Sequence, residues 1–448
     1  MSASRQRIPA SAVGEPPRLA GDPRPRPELV VDASAPIARM AARFAMSGPS
    51  ATALTGRPRS GAPRRATLLL GLAACLTVAS PGALAQGRLD AVSVRNSRGE
   101  LQTVTGKVLA NSLTEVRVDR GGKERTYDAD QVERIVWGEA SSHYREGLKY
   151  FERGDFQNAA DKFAFAADND GREVVKASAR RLAGDAQLRL GHGDPAHLPL
   201  AQAEYDRFRS DFGDGRDLPP VLMSQARASL LAGDQAGAAE RYRALFERGS
   251  GDAPTPGYPR LMCMRAGLAA ARAATDTGET LVARELYGAL GNAVRALLAE
   301  ASEGTETHAQ LVRLAAGAQL GEGFVLIASG QPNQALPFFN ARVPLGSAPS
   351  GDAGDPSLRF GTQLGIGEAH LAQRDYSKAR VALAGVAALD HTDRDRVARA
   401  LVRLAACYRN LSTTDSTSQA KRRLTYVVEH YSDTPWARVA RETLAADF

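Results

Sequence analysis

The chain has 448 residues, 43% hydrophobic and 24% charged. That is the composition of folded protein, and the length is too great for one compact core, so two or more domains or a repeat array are expected. The net charge of +7 resides in the first 85 residues, which hold 11 arginines, no lysine and 4 acids; the other 46 basic and 46 acidic groups cancel. The pI near 9.4 therefore belongs to the leader, and the balance argues against a basic, nucleic-acid-binding face on the folded part.

Residues 1–65 are rich in Pro, Arg, Ala and Gly and read as a disordered leader. Arg57, Arg59, Arg64 and Arg65 form a basic run without acids. It is followed by "ATLLLGLAACLTVAS" (Ala66 to Ser80), 15 uncharged and mostly apolar residues, then Pro81 and the small-residue site Ala83-Leu84-Ala85. Basic, apolar and small-residue regions in that order make 66–85 a secretory signal with its cleavage site, and place the mature protein in the periplasm or cell envelope. A membrane-spanning helix would want about 20 apolar residues. Leu72-Ala73-Ala74-Cys75 is similar to a lipoprotein box, so a retained or lipidated signal stays open as a route to membrane association. Met46 is a more usual starting point for this signal than Met1. Beyond the leader only Cys263 and Cys407 remain, each on an apolar helical stretch, and they read as buried free thiols.

Residues 86–138 have period two. "AVSVR", "TVTGKVLA", "TEVRVDR", "KERTYD" and "VERIVW" alternate apolar with polar residues, with turns at Gly99, Asn111-Ser112 and Gly121-Gly122. Val116 and Val118 should point inward and Glu115 and Arg117 outward. Five short strands make a small antiparallel barrel-like domain, and "TGKVLANSLTEVRV" resembles the small SH3-like or Sm-like barrels.

From Ser141 the period becomes helical and stays so. Gly147 is followed twelve residues on by Ala159 and four further by Phe163. The same spacing joins Ala226, Ala238 and Tyr242; Gly323, Ala335 and Phe339; and Gly367, Ala379 and Leu383. Between the small residues sits a break: Gly154-Asp155, Gly233-Asp234, Gly330-Gln331 or Arg374-Asp375. Two antiparallel helices joined by a tight turn cross closely where both side chains are small. The bulky residue one turn later fills the space, and the Asp caps the second helix. One such hairpin cannot bury its own apolar stripe and must stack on the next.

This unit resembles the tetratricopeptide repeat, a helix–turn–helix module. Less regular copies carry Gly184 with "LAQAEYDRF" (Leu200 to Phe208), Gly267 with Ala283 and Tyr287, and Ala406 and Tyr408 with Ala420 and Leu424; the register of these second, fourth and seventh units is open. The resemblance gives about seven hairpins over 139–433, with "APSGDAGDPS" (Ala348 to Ser357) as an insertion. A capping helix follows over 434–448, opened by Asp433 or Thr434 and Pro435, with Arg438, Arg441 and Glu442 on its polar face. The expected fold is thus mainly α, a tetratricopeptide-type solenoid behind a small β domain.

No motif for catalysis, cofactor binding or metal binding appears. "GHGDPAH", with His192 and His197, reads as a solvated loop. Gly365-x-Gly367 breaks the dinucleotide fingerprint at Glu368-Ala369-His370, and carboxylates such as Glu368 and Asp375 read as solvated helix faces. The family resemblance implies a non-enzymatic scaffold that takes a peptide or helix of a partner protein in the groove lined by the first helices. An anchored component of an envelope complex is the alternative. The groove positions are Tyr144, Leu148 and Phe151; Met223, Arg227 and Leu230; Leu320, Phe324 and Ile327; and Leu364, Glu368 and Leu371. Being mostly apolar, these residues also fit packing on the neighbouring repeat. The family's basic clamp for C-terminal carboxylates is not supplied here.

If Ala159 is the small half of a helix crossing, Ala159→Leu should destabilise by about 1–3 kcal/mol through overpacking. An unchanged melting temperature would contradict this register.

Overall fold

In the computed structural model the described residues are 89–96, 100–251, 253–342, 356–411 and 414–448; the leader, the signal-like segment 66–85 and residues 348–355 of the insertion lie outside them. Five strands come first: β1 Asp90–Arg95, β2 Leu101–Asn111, β3 Glu115–Asp119, β4 Glu124–Asp128 and β5 Val132–Val136. All pair antiparallel, in the order β4-β3-β2-β1-β5. Alternation does the sorting. Val92, Val104, Val108, Val116 and Val118 are buried on one face, while Arg117 points to solvent. β2 is the long strand, pairing with β1 up to Gly106 and with β3 from Lys107. At that changeover a Cβ on Gly106 would come within 2.5 Å of the Asp119 carbonyl oxygen, so only glycine lets the sheet curl there.

Fifteen α-helices follow among the described residues. They form seven hairpins: α1 Ser142–Glu152 with α2 Phe156–Asn169; α3 Glu173–Gly191 with α4 Leu198–Asp211; α5 Leu218–Ala232 with α6 Gln235–Ser250; α7 Arg260–Thr277 with α8 Thr280–Glu300; α9 Glu306–Ala328 with α10 Pro332–Asn340; α11 Pro356–Ala372 with α12 Tyr376–Leu389; and α13 Arg394–Asn410 with α14 Ser416–His430. A last helix, α15 Pro435–Asp447, closes the series. Four hairpin turns end their first helix on a glycine in the left-handed region, Gly154, Gly233, Gly278 and Gly330, and the sixth uses Arg374 at φ 63°. Asp155, Asp234 and Asp375 then start the second helix, each carboxylate accepting the backbone N–H three residues on.

The crossings are built on glycine against a ring or branched chain. A Cβ at Gly147 would lie 2.7 Å from the Phe163 ring, at Gly184 2.5 Å from Tyr205, and at Gly367 2.7 Å from Leu383. A second set joins successive hairpins: Gly267 backs onto Phe246, Gly321 onto Tyr287 and Gly365 onto Phe339. Phe339 therefore sits between Gly323 of its own hairpin and Gly365 of the next. Gly267 belongs to the preceding hairpin's aromatic; Ala271, fully buried and twelve residues before Ala283, holds the in-hairpin position of the fourth unit.

The β domain is fixed to this stack by one buried carboxylate. Asp90, at 0% exposure, accepts two bonds from the Arg172 guanidinium (2.8 and 2.6 Å) and one each from the backbone N–H of Val108 and Gly138 (both 2.8 Å). Arg172 stands just before α3 and also lies over Trp137, 5.6 Å from the ring centre. Farther along, Leu113 donates to the Asp214 carbonyl (2.7 Å) and Arg216 to the Asn111 carbonyl (3.2 Å), tying the sheet to the turn before α5.

Two glycine substitutions should have opposite signs. Gly321→Ala gains about 1 kcal/mol of helix propensity but drives a methyl into the Tyr287 ring, an overpacking cost of about 1–3 kcal/mol, so net destabilisation is expected. Gly288→Ala, on the exposed side of α8 with nothing within 4 Å of the added carbon, should stabilise by about 0.5–1 kcal/mol. Urea unfolding of the two variants checks the contrast.

Candidate functional site

In a hairpin solenoid the first helices line the inner face. Here the structure divides that face in two. In the first hairpin Tyr144 is buried, its hydroxyl 3.0 Å from the Ser178 hydroxyl, so it joins α1 to α3. Burial pushes its phenol pKa up. Leu148 and Phe151 are half-buried, and Phe151 rests on Phe156 and Phe163.

From the third hairpin onward the inner face is occupied by the chain's own last helices. Arg399, on α13, places its guanidinium against the Glu368 carboxylate of α11 in a bidentate pair, both contacts 2.6 Å. Asp276 of α7 lies 3.7 Å away, Phe324 of α9 offers its ring face at 5.2 Å, and Trp436 of α15 does the same at 5.2 Å. One cation on α13 thus meets four other helices. Arg403, one turn on, adds a 3.2 Å contact to Glu368 and lies 5.4 Å from the Trp436 ring centre.

A second set of contacts closes the loop between α5 and α15. Arg227 donates to the Asp433 backbone carbonyl at 2.7 Å, while Arg394 holds the Asp433 carboxylate at 2.7 Å. A Cβ built on Gly233, at the end of α5, would meet Arg438 at 3.0 Å. Arg272 lies 3.9 Å from Asp393. Asp395 sits among these charges. Burial raises its pKa, against the pull of Arg227 and Arg272.

The positions expected to form a partner groove therefore fall into distinct environments. Leu320 and Leu364 are buried in the stack, with Leu320 against Gly361 of the next hairpin. Arg227, Phe324 and Glu368 serve the internal closure. Met223, Leu230, Ile327 and Leu371 are half-buried. Glu368 is not the solvated carboxylate that its helix suggested: at 4% exposure it is held by two arginines. No pattern within one helix can show that Arg399, 31 residues later, lands beside it. His192 is also not simply solvated. It is half-buried at the end of α3, its Nε2 has no hydrogen-bond partner among the described residues, and burial together with nearby Arg227 lowers its pKa to about 4. Asp375 caps α12 instead of standing free on a face. Asp276, Arg399, Arg403 and Trp436 are not marked by any sequence pattern; the one local hint is that Arg399 and Arg403 stand four apart, on one face of α13.

Chemically this axial cluster binds and braces. Burial favours the neutral form of Glu368, but Arg399 and Arg403 outweigh it and hold the carboxyl below its ordinary value of 4.5. Burial pushes the Cys263 and Cys407 thiols up to about 11, so both are protonated, inert core residues. Among the described residues no three His, Cys, Asp or Glu side chains gather closely enough to hold a metal ion.

Fold and inner face together define the class: a helical-hairpin solenoid of the tetratricopeptide type, preceded by a small antiparallel β domain. No family model and no curated protein matches the chain. Among solved structures it is similar to a tetratricopeptide repeat protein from Parabacteroides merdae ATCC 43184, at 14% identity and a TM-score of 0.43, over 68% of this chain and 98% of that one. The class rests on the hairpin geometry and not on that likeness.

Arg399→Met should destabilise by about 3–5 kcal/mol, because it strands a buried carboxylate, and the double variant Arg399→Met/Glu368→Met should recover much of the loss. The pH dependence has a definite sign. With the folded pKa of Glu368 depressed below 4.5, its contribution is complete above about 4.5 and is lost as pH falls through the folded value. Glu368→Gln should flatten that acid limb, and urea unfolding at about pH 6 and about pH 3 would show it; an unchanged limb would contradict the pair.

Proposed function

We propose that this protein is an exported, non-enzymatic scaffold of the cell envelope that binds other proteins. The observation that carries the reading is the braced solenoid itself: seven stacked hairpins, a fixed β domain and an inner face devoted to ion pairs and ring contacts. Such a body offers long, rigid outer surfaces and two ends, which suits docking more than chemistry. The β domain, in this reading a small barrel of the SH3-like or Sm-like kind, adds a second contact surface held by Asp90 and Arg172.

Export rests on the leader: a basic run to Arg65, the apolar Ala66 to Ser80 segment, and the small residues to Ala85. In the second reading the signal or a lipid on Cys75 is retained, and the protein is an anchored component of an envelope complex. One described helix, Glu306–Ala328, is long and apolar enough to cross a membrane, but Leu311, Leu314, Leu320 and Val325 are buried. We take it as a core helix of the fifth hairpin.

The self-occupied inner face constrains the mode of binding. A partner helix cannot lie along hairpins three to seven without displacing Trp436 from Arg399, so partners use the outer faces or the end formed by the first hairpin. Crosslinking in native envelopes followed by mass spectrometry should recover protein partners, with crosslinks on second helices and on the β domain. The mature chain should begin at Gln86 and wash free of membranes. Cytoplasmic retention of the whole precursor would contradict export, and membrane retention after salt and carbonate washing would favour the anchored reading. A catalogue of envelopes that yields no protein partner would contradict the scaffold.

A further inference from the structure

A cleft of about 380 Å³ opens on the outside of the solenoid, between the second and third hairpins and away from the inner face. Its floor is apolar: Leu218 and Leu222 from α5, Leu245 from α6, and Tyr258 from the segment leading to α7. Three arginines line it, Arg209 at the end of α4 and Arg241 and Arg248 on α6.

These cations are poorly satisfied within the fold. Arg209 reaches Asp206 only at 3.6 Å and the Gln225 side-chain oxygen at 3.4 Å, and Asp206 already accepts the Gln225 amide at 2.7 Å. Arg241 approaches Asp234 at 3.5 Å, but that carboxylate caps α6 through the Gly237 N–H. Arg248 lies over the Tyr258 ring, 5.5 Å from its centre, with no carboxylate partner among the described residues. The side chains of Arg209 and Arg241 are 49% and 42% exposed, so incoming carboxylates can reach them. Full charge-assisted pairs would be shorter and stronger than these long contacts.

The spacing selects the ligand. Arg241 and Arg248 are seven residues apart on α6, roughly 10 Å along the helix axis. A peptide in the polyproline II conformation covers about 9 Å in three residues and, with three residues per turn, keeps residues i and i+3 on one face. We propose that this cleft binds an acidic peptide segment of a partner protein, with two carboxylates about three residues apart on the arginines and an apolar side chain between them against Leu222 and Tyr258. An apolar anchor in a pocket rimmed by charge is the usual arrangement of a strong contact, and Arg presents the planar donor pair that carboxylates fit. The proposal rests on the protein-binding reading above and names a partner chemistry for it.

The test uses the purified full chain and a fluorescein-labelled peptide, Gly-Ser-Glu-Leu-Phe-Glu-Ser-Gly, followed by anisotropy. Saturable binding is expected, weakened at least about ten-fold by the double variant Arg241→Glu/Arg248→Glu, by Leu222→Asp, and by replacing both peptide glutamates with glutamine. Arg243→Glu, on the same helix but paired with Glu247 at 2.8 Å, should leave the affinity unchanged. Far-UV circular dichroism and melting confirm that each variant is folded; both positions changed in the double variant are surface arginines. The proposal is overturned if the peptide does not bind, if the glutamine peptide binds equally well, if Arg243→Glu weakens binding as much as the double variant, or if free succinate competes with an affinity equal to the peptide's. Those failures would leave the scaffold reading standing with its partner elsewhere, whereas envelopes without any crosslinked protein would remove the scaffold itself.

Discussion

The guanidinium of Arg399 is the point on which the second half of the molecule depends. It pairs with Glu368 at 2.6 Å, lies near Asp276, and stands between the rings of Phe324 and Trp436. Those partners come from the first helices of the fourth, fifth and sixth hairpins and from the last helix. A buried ion pair is not in itself a large source of stability, because desolvation consumes most of the attraction. Its value lies in specificity. Only one arrangement of five helices satisfies this cation and leaves no buried charge alone, so the network fixes how far the solenoid must curl.

The curl is made possible by the glycine contacts. Hydrophobic stacking drives hairpins together, but their closest approach is set by what stands at each crossing. Gly-x-Gly in α9 and again in α11 serves two neighbours at once. Gly323 and Gly367 receive Phe339 and Leu383 of their own hairpins, while Gly321 and Gly365 receive Tyr287 and Phe339 of the hairpins before. Each ring or branched side chain then fills the space that the missing Cβ leaves. The tight approach carries α15 round to α5, where Arg227 meets the Asp433 carbonyl. At the other end, Asp90 and Arg172 do for the β domain what Glu368 and Arg399 do for the later hairpins: one satisfied pair joins elements that hydrophobic packing alone would leave free to slide.

Much of this was written locally in the sequence. The alternation of Val116 and Val118 with Arg117 gives strands, and the spacing of Gly147, Ala159 and Phe163 gives a hairpin. These signals depend on residues a few turns apart, where helix geometry fixes who faces whom. What the sequence kept hidden depends on the rotation from one hairpin to the next. Gly365-x-Gly367 reads as a broken nucleotide motif within its own helix because the first glycine packs on Phe339 of the previous hairpin. Gly267 is ambiguous for the same reason: its partner Phe246 lies in the preceding hairpin. Glu368 and Arg399 illustrate the limit most sharply: each alone is an ordinary charged residue on a helix, and only accumulated curvature brings them together. The arginines of the outer cleft were equally silent, since Arg209 and Arg241 reach one rim from different hairpins.

The chain closes on itself, with the last helix seated against the third hairpin. Spin labels at Ala236, just inside α6, and at Glu442, on the exposed side of α15, would measure that closure by pulsed electron–electron resonance in solution. Closure predicts a single narrow distribution at short distance, which broadens and lengthens when Arg399 is replaced by Met. A broad, long distribution in the unaltered background, unchanged by Arg399→Met, would mean an open superhelix and would contradict the account.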